Sequence, residues 1–193
     1  MKNHFFAMTS RMKYINRWGL MNSSKSENIS EHSLEVSMLS HALVLISNKK
    51  FGTNLDADKA AVLGLYHDVS EILTGDMPTP IKYYNPEIKV AYKKVEKVAQ
   101  NKLLSLLPDY LQDEYSDILL DDNMEKDLIP FVKAADKLSA LIKCIEELKM
   151  GNKEFEKAKI TIEQQLIDMK MPSVDVFMNE FLPSYSLTID EQD

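Results

Sequence analysis

The sequence contains a single cysteine, Cys144. One thiol cannot form an internal disulfide, and a metal site built from several cysteines is likewise excluded. Because chains without disulfides are typical of reducing compartments, we expect a cytoplasmic protein.

Turn-forming residues are scarce as well. The chain has 5 glycines and 7 prolines, about half of what an average usage of roughly 12% would supply. A fold made of many short strands needs frequent turns, and no segment alternates between apolar and polar residues for long enough to require a strand. The sequence therefore predicts an all-α fold.

Long apolar runs and an excess of basic residues are both absent. The longest uninterrupted aliphatic stretch covers only residues 42–46, too short for a membrane span, and the first residues lack the apolar run of a signal peptide. The 23 basic and 30 acidic side chains give a formal net charge of −7, whereas binding along a nucleic-acid backbone needs many Lys and Arg. We therefore expect no membrane and no nucleic-acid polymer as a partner, while a small anionic ligand stays possible.

The chain has the size and composition of one globular domain. Its 193 residues are 45% hydrophobic and 27% charged, which is ordinary for a folded protein. No internal repeat, low-complexity tract or shift in composition marks a boundary. We predict a single compact domain over residues 1–193.

Apolar residues at three- and four-residue spacing predict two amphipathic helices in the N-terminal half of the chain. The first covers 31–48, with Ser30 as its N-cap. The second covers 57–73, between Asp56 as N-cap and Gly75 as its stop. The stripe of the first consists of Leu34, Met38, Leu39, Ala42, Leu45 and Ile46, and that of the second of Val62, Leu65, Tyr66, Val69 and Leu73. Further helices are predicted near 87–107, 110–120, 131–149 and 153–170.

The second predicted helix carries a group of polar residues opposite its apolar stripe. At about 100° of rotation per residue, His67, Asp68 and Glu71 share one face, and Gly64 falls on that face one turn earlier. A glycine there leaves space for a ligand or for another helix. From this helix alone, a solvated surface is favoured over a functional site as the explanation of the three side chains.

The other histidines differ in their surroundings. His32 and His41 lie half a rotation apart on the first helix, so only one of them can face a common site. His32 lies in the first turn, near unpaired backbone donors, whereas His41 is flanked by Ala42 and Leu43 and is predicted to be packed. We select His32 as the candidate and assign His4 to the surface.

Three separated stretches, Ser30-Glu31-His32-Ser33, Tyr66-His67-Asp68 and Lys133-Ala134-Ala135-Asp136-Lys137, together resemble the signature of the HD-domain metal-dependent phosphohydrolases. The resemblance implies a multi-helix HD-domain bundle in which His32, His67, Asp68 and Asp136 bind a divalent metal. Two imidazoles and two carboxylates suit Co, Mn, Zn, Fe or Ni without selecting one. On periodicity alone, Asp136 would be a surface residue, opposite the stripe of its own helix.

Two further stretches resemble the bacterial 5′-deoxynucleotidase branch of that family. They are Ile15-Asn16-Arg17-Trp18 and Thr74-Gly75-Asp76-Met77-Pro78-Thr79-Pro80, and the match runs in collinear order from Phe5 to Ser184. The resemblance implies a deoxyribonucleoside 5′-monophosphate substrate and a homodimer. The residues it implies as substrate contacts are Arg17, Trp18, His32, Asp68, Asp76, Met77, Pro78, Thr79 and Asp136.

The expected activity is hydrolysis of a phosphate monoester. Arg17 is expected to bind the phosphate, Glu71 to orient the attacking water or move its proton, and Asp76 to contact the sugar or protonate the leaving oxygen. The bulky Trp18 is expected to reject the ribose 2′-hydroxyl. Two alternatives remain: hydrolysis of a nucleoside triphosphate or an alarmone by another HD phosphohydrolase, and a helical module that senses nucleotides without turnover.

Overall fold

The computed structural model describes residues 3–82 and 84–192, without the side chains of Thr79 and Pro80. Over these residues the chain forms ten α-helices and no β-strand, which confirms the predicted all-α class. The helices are α1 (Phe5–Thr9), α2 (Ile29–Phe51), α3 (Ala57–Tyr66), α4 (Glu71–Thr74), α5 (Thr79–Lys82), α6 (Pro86–Leu104), α7 (Asp109–Leu119), α8 (Ile129–Lys149), α9 (Glu156–Asp168) and α10 (Pro172–Glu180). No helix in the described ranges is long and apolar enough to cross a bilayer.

The residues group into two compact units. The first consists of Met1–Asn22, Ser26–Leu34 and Leu65–Glu125, and the second of Ser23–Lys25, Glu35–Gly64 and Lys126–Asp193. The single domain that the sequence predicts over 1–193 stays a prediction.

The first unit is organised around a core of apolar side chains from several short elements. Helix α6 packs against α1, α4 and α7, and α4 also contacts the 3₁₀ turn Ser10–Tyr14. The buried core consists of Phe5, Met12, Ile29, Val69, Leu103, Leu107 and Leu119. Burying these side chains removes apolar surface from water and holds the loops between the helices in place.

The second unit is organised around α8, which packs against α9 and the 3₁₀ turns Lys153–Phe155 and Leu182–Ser186. Along α8, Leu138, Leu141 and Ile142 are buried, and Cys144 is buried as a free thiol. Burial raises the pKa of this thiol to about 12. The side chain therefore acts as a small apolar core residue.

Helix α2 begins earlier than predicted, because Asn28 and not Ser30 caps it. The Asn28 side-chain oxygen accepts hydrogen bonds from the backbone N–H groups of Ser30 (3.0 Å) and Glu31 (3.1 Å). These bonds satisfy donors that the first turn of a helix leaves unpaired. His32 therefore lies in a helical turn that is fixed at its start.

The predicted helix 57–73 is interrupted after Tyr66. The Val69 N–H bonds the Tyr66 carbonyl at 3.0 Å, and the Glu71 N–H bonds the Asp68 carbonyl at 2.9 Å. These bonds span three residues instead of four, so the chain tightens before α4 begins. The capping role of Asp56 is confirmed by its 2.8 Å bond from the Lys59 N–H, and Gly75 ends α4 with φ 74°.

The face of α2 that is buried differs from the predicted stripe. Val36, Leu39, Leu43 and Val44 are buried, whereas Leu34, Met38 and Leu45 are 55%, 59% and 40% exposed. The prediction that His41 is packed is wrong, because its side chain is 41% exposed and lies 3.5 Å from the Asp58 carboxylate. Helix α2 carries apolar residues on two faces, and their spacing in the sequence does not show which face meets the core.

Candidate active site

His32 and the turn after α3 form the centre of the candidate site. The His32 side chain is completely buried, and its Nε2 lies 3.6 Å from Asp68 Oδ2. The Nε2 of His67 lies 3.1 Å from the same oxygen. Ligand atoms of His32, His67 and Asp68 lie within 4.8 Å of one another.

The geometry of these three side chains fits a divalent metal ion. Imidazole nitrogens and carboxylate oxygens bind such ions at about 2.0–2.2 Å, which places neighbouring ligand atoms roughly 3–4 Å apart. The two distances to Asp68 Oδ2, 3.6 Å and 3.1 Å, lie in this range. The interruption of the predicted helix produces this arrangement, since it places His67 and Asp68 in a turn instead of on a helix face.

A short pairing of two chain segments carries Arg17 to the same oxygen. The Arg17 N–H bonds the Glu27 carbonyl, and the Ile29 N–H bonds the Ile15 carbonyl, both at 2.9 Å. This pairing is centred on an isolated antiparallel bridge between residues 16 and 28. The Arg17 guanidinium Nη1 then lies 3.4 Å from Asp68 Oδ2, so a cation borders the cluster.

Trp18 follows Arg17 in an unusual backbone conformation, with φ 60°. Its indole Nε1–H donates a 2.7 Å hydrogen bond to Glu27 Oε2. Its backbone N–H donates to the Asp76 carboxylate. The Trp18 side chain is half-buried.

Three carboxyl groups of the site have shifted pKa values. Burial acts to raise the pKa of Asp68, but the neighbouring charges of His67, His32 and Arg17 hold it well below its usual value. Burial, reinforced by the charges of Asp68 and Asp76, raises the pKa of Glu71 to about 9. Burial also raises the pKa of Asp76. The site therefore holds acidic groups with opposite protonation preferences, as sites of proton transfer do.

Glu71 lies at the start of α4, three residues after Asp68. Its side chain is buried, and within the described part of the chain its Oε2 atom accepts no hydrogen bond. An acceptor left in this state inside a protein is costly unless a bound molecule satisfies it. The Glu71 carboxyl is thus able to bind a water molecule or a substrate.

The remaining predicted site residues are Met77, Pro78, Thr79 and Asp136. Asp136 lies on α8 in the second unit and is half-buried, and its metal-binding role stays a prediction. Met77 and Pro78 are half-buried in the loop before α5, and their substrate contacts also stay predictions. Thr79 lies outside the residues whose side chains the structure describes.

Glu27, which accepts a hydrogen bond from the Trp18 indole, is not among the site residues that the sequence predicts. No periodic pattern or motif in the sequence singles out this residue. Its position depends on the pairing of residues 16 and 28, which brings together two irregular segments.

Solved structures with the same architecture define the fold. The chain superposes on an HD-domain phosphohydrolase from Listeria innocua with a TM-score of 0.82 and 22% identity, covering 94% of this chain and 88% of that one. It also matches the cyanophage S-2L HD phosphohydrolase bound to dA and one catalytic Zn²⁺ ion, with a TM-score of 0.66, 20% identity and coverage of 94% and 96%. The chain therefore has the fold of the HD-domain phosphohydrolases.

Sequence similarity identifies the family within this fold. The model of the YfbR-like 5′-deoxynucleotidase family matches residues 4–185. A 5′-deoxynucleotidase of Vibrio vulnificus is 50% identical over 190 residues, which covers 98% of both chains. The chain belongs to the YfbR-like 5′-deoxynucleotidase family, and the predicted family resemblance is confirmed.

Proposed function

We propose that this chain is a metal-dependent 5′-deoxynucleotidase that hydrolyses deoxyribonucleoside 5′-monophosphates to deoxynucleosides and phosphate. The observation that carries the proposal is the convergence of His32, His67 and Asp68 within 4.8 Å. The 50% identity to a 5′-deoxynucleotidase supports the same activity. Arg17 lies beside the cluster and supplies positive charge for an anionic substrate, although the protein as a whole is acidic.

We assign the metal to His32, His67 and Asp68, with Asp136 as a fourth ligand that rests on the family resemblance alone. A divalent ion at this position supplies positive charge for the phosphate oxygens and makes a water molecule more acidic. The mixed nitrogen and oxygen ligands suit Co, Mn, Zn, Fe or Ni. The catalytic Zn²⁺ ion of the cyanophage phosphohydrolase supports a divalent metal in this fold.

The remaining side chains bind the substrate and move protons. In hydrolysis, the oxygen of a water molecule bonds to phosphorus, the bond from phosphorus to the 5′ oxygen breaks, and that oxygen takes up a proton. The planar guanidinium of Arg17 binds two phosphate oxygens. Glu71 orients the water or moves its proton, and Asp76 contacts the sugar or protonates the 5′ oxygen. The family resemblance implies further substrate contacts from His32, Asp68, Met77, Pro78, Thr79 and Asp136.

Trp18 is assigned to the choice of deoxyribose over ribose, because a rigid ring excludes an additional hydroxyl better than a flexible apolar pocket does. In the variant Trp18→Ala we expect ribonucleotides to become substrates while deoxynucleotides are still turned over. The ratio of kcat/KM for matched deoxy and ribo monophosphates measures this effect. An unchanged ratio would remove Trp18 from the selectivity mechanism.

The activity is tested by measuring released phosphate. The purified protein is treated with a chelator, supplied with each of the five metals, and given deoxy and ribo monophosphates, nucleoside triphosphates and an alarmone. We expect phosphate release from deoxy monophosphates that disappears with chelator and returns with metal. Preferential turnover of triphosphates or alarmones would replace the proposal by another HD phosphohydrolase activity, and nucleotide binding with no release under any metal would indicate a sensing module.

The metal assignment is tested separately by metal analysis of the purified variants. His67→Ala, Asp68→Ala and Asp136→Ala should each lose bound metal and turnover. His41→Ala is the matched control, because it removes an imidazole that is exposed. Full metal content in one of the three variants would exclude that residue as a ligand.

We also propose that the protein forms a homodimer and is located in the cytoplasm. A homodimer is supported by the exposed side chains of Met38 and Leu45, which lie seven residues apart and so on one face of α2. The cytoplasmic location rests on the single cysteine.

A further inference from the structure

The carboxylate of Glu27 faces three side chains of the proposed site. Its Oε2 accepts the 2.7 Å hydrogen bond from the Trp18 indole and lies 3.7 Å from Arg17 Nε. Its Oε1 lies 3.7 Å from His32 Nδ1. The Glu27 side chain is only 14% exposed, so these neighbours replace most of its water.

The backbone of Trp18 explains why this hydrogen bond matters. A bulky residue with φ 60° is strained, and such conformations persist only where the surroundings hold them. Asp76 accepts the backbone N–H of Trp18, and Glu27 accepts the indole N–H. The residue is thus held at two points, one on the main chain and one on the ring.

The two points of attachment have different consequences. The bond to Asp76 fixes the path of the chain. An indole has a single N–H donor, so the bond to Glu27 fixes how the ring is rotated about its own side-chain bonds. In the proposed function, the rotation of the ring decides which part of it meets the sugar.

We infer that Glu27 is a positioning residue that orients the Trp18 ring, and that it thereby sets the preference for deoxyribose over ribose. The effect on sugar preference rests on the proposed function, whereas the contact between Glu27 and Trp18 does not. Its negative charge also fixes the Arg17 guanidinium, which lies between Glu27 and the Asp68 carboxylate. Glu27 acts through Trp18 and Arg17 and does not itself take part in the chemistry.

Three substitutions of Glu27 separate its hydrogen bond from its charge. Glu27→Gln keeps an oxygen that accepts the indole N–H but removes the charge, whereas Glu27→Ala removes both. Glu27→Asp keeps the charge but withdraws the carboxylate from the ring by one methylene group. Glu31→Ala is the matched control, because Glu31 is an exposed carboxylate four residues along whose side chain bonds the Asn28 N–H.

Trp18 is the single tryptophan of the chain, so the intrinsic fluorescence of the protein reports on this ring directly. Emission spectra and acrylamide quenching are measured on the metal-loaded full chain without substrate. We expect Glu27→Ala and Glu27→Asp to shift the emission maximum and to increase quenching. Glu27→Gln and Glu31→Ala should remain close to the unaltered protein.

The same variants are then assayed with matched deoxy and ribo monophosphates. We expect the deoxy-to-ribo ratio of kcat/KM to fall by about tenfold in Glu27→Ala, as for the loss of one charged hydrogen bond. In Glu27→Gln the ratio should be retained, while KM for both nucleotides rises because Arg17 is less firmly held. If Glu27 had only a structural role, both substitutions would lower stability and kcat. The two variants would then not differ in the deoxy-to-ribo ratio and in KM as described.

Three outcomes would overturn the inference. The first is unchanged Trp18 fluorescence in both Glu27→Ala and Glu27→Asp. The second is an unchanged deoxy-to-ribo ratio in whichever of these two variants folds. The third is an equal change of Trp18 fluorescence in Glu27→Gln and Glu27→Ala. Absence of phosphate release from the unaltered protein would instead reject the proposed function. The fluorescence comparison would still decide whether Glu27 holds Trp18.

Discussion

At the scale of single residues, Gly64 shows how closely α3 approaches α2. A Cβ atom built on Gly64 would lie 3.0 Å from the Ser37 Cα and 3.0 Å from the Val36 carbonyl oxygen. Both are backbone atoms, so a side-chain rotation cannot relieve the contact. Of the two occupants that the sequence allowed for this space, a ligand or another helix, the structure places the helix there.

We therefore expect Gly64→Ala to destabilise the fold by about 1–3 kcal/mol, the usual cost of overpacking a well-packed contact. Denaturant unfolding followed by circular dichroism measures the change. Gly19→Ala is the matched control, because among the described residues, apart from its two chain neighbours, no atom lies within 4 Å of a Cβ built there. Equal stability of Gly64→Ala and the control would mean that the two helices separate easily.

At the scale of elements, the start of α2 determines where His32 lies. Asn28 accepts two backbone N–H groups of the first turn, whereas Ser30 lies inside the helix. We expect Asn28→Ala to lower the free energy of unfolding by about 1 kcal/mol, as for the loss of an N-cap.

Ser30→Ala serves as the control for this prediction and should change stability little. Thermal melts of both variants, with and without added metal, make the comparison. A larger loss in Ser30→Ala than in Asn28→Ala would contradict the assignment of the cap.

Helix α8 holds the short segment Ser23–Lys25 of the second unit through a buried ion pair. Glu147 accepts the Ser24 N–H at 2.8 Å and the Lys25 N–H at 3.2 Å. The Lys143 ammonium donates to Glu147 at 2.5 Å and to the Lys25 carbonyl at 2.6 Å. Burial acts to raise the pKa of Glu147, but the bonds from Lys143, Ser24 and Asn152 hold it well below its usual value.

This depressed pKa predicts a dependence of stability on pH. A carboxyl whose folded pKa lies below its unfolded value stabilises the fold above the unfolded pKa and loses this contribution as the pH falls towards the folded pKa. We expect Glu147→Gln to be destabilised by about 3 kcal/mol at pH 7, and to lose less stability than the unaltered protein as the pH falls below about 4.5, the usual value for this carboxyl.

The neighbouring Glu146→Gln is the control for this pH series, because Glu146 is exposed. Denaturant unfolding between pH 3 and pH 7 provides the measurement. Parallel pH profiles for the Glu147→Gln variant and the unaltered protein would show that Glu147 does not carry this pH dependence.

At the scale of the whole molecule, the exposed face of α2 predicts association. Met38 is 59% exposed and Leu45 is 40% exposed, and apolar side chains grouped on one face mark interaction surfaces more often than single ones do. We expect sedimentation equilibrium to give twice the chain mass of 22.1 kDa. The double variant Met38→Lys, Leu45→Lys should then sediment as a monomer, because a dimer would bury its charges.

Ile160→Lys is the control for the association experiment, because it places the same charge on an apolar residue of α9 that is 67% exposed. It should leave the mass unchanged. A dimer that persists in the double α2 variant would place the interface elsewhere.

The sequence by itself determined the helical class, the positions of the long helices and the family. Scarce turn formers and regular apolar spacing encode helices locally, so α2, α6 and α8 lie within a few residues of their predicted ranges. Short motifs such as His67-Asp68 and Arg17-Trp18 likewise identify a family without any coordinates. These features are properties of neighbouring residues, which a sequence displays directly.

Only the tertiary structure decided how the site is assembled. The turn after Tyr66 depends on hydrogen bonds that a helical wheel does not represent, and the exposure of His41 depends on which face of α2 meets the core. Glu27 reaches Trp18 only because residues 16 and 28 pair across an irregular segment. Periodicity records which side chains avoid water, whereas the convergence of distant side chains on one oxygen of Asp68 is set by packing between segments far apart in the chain.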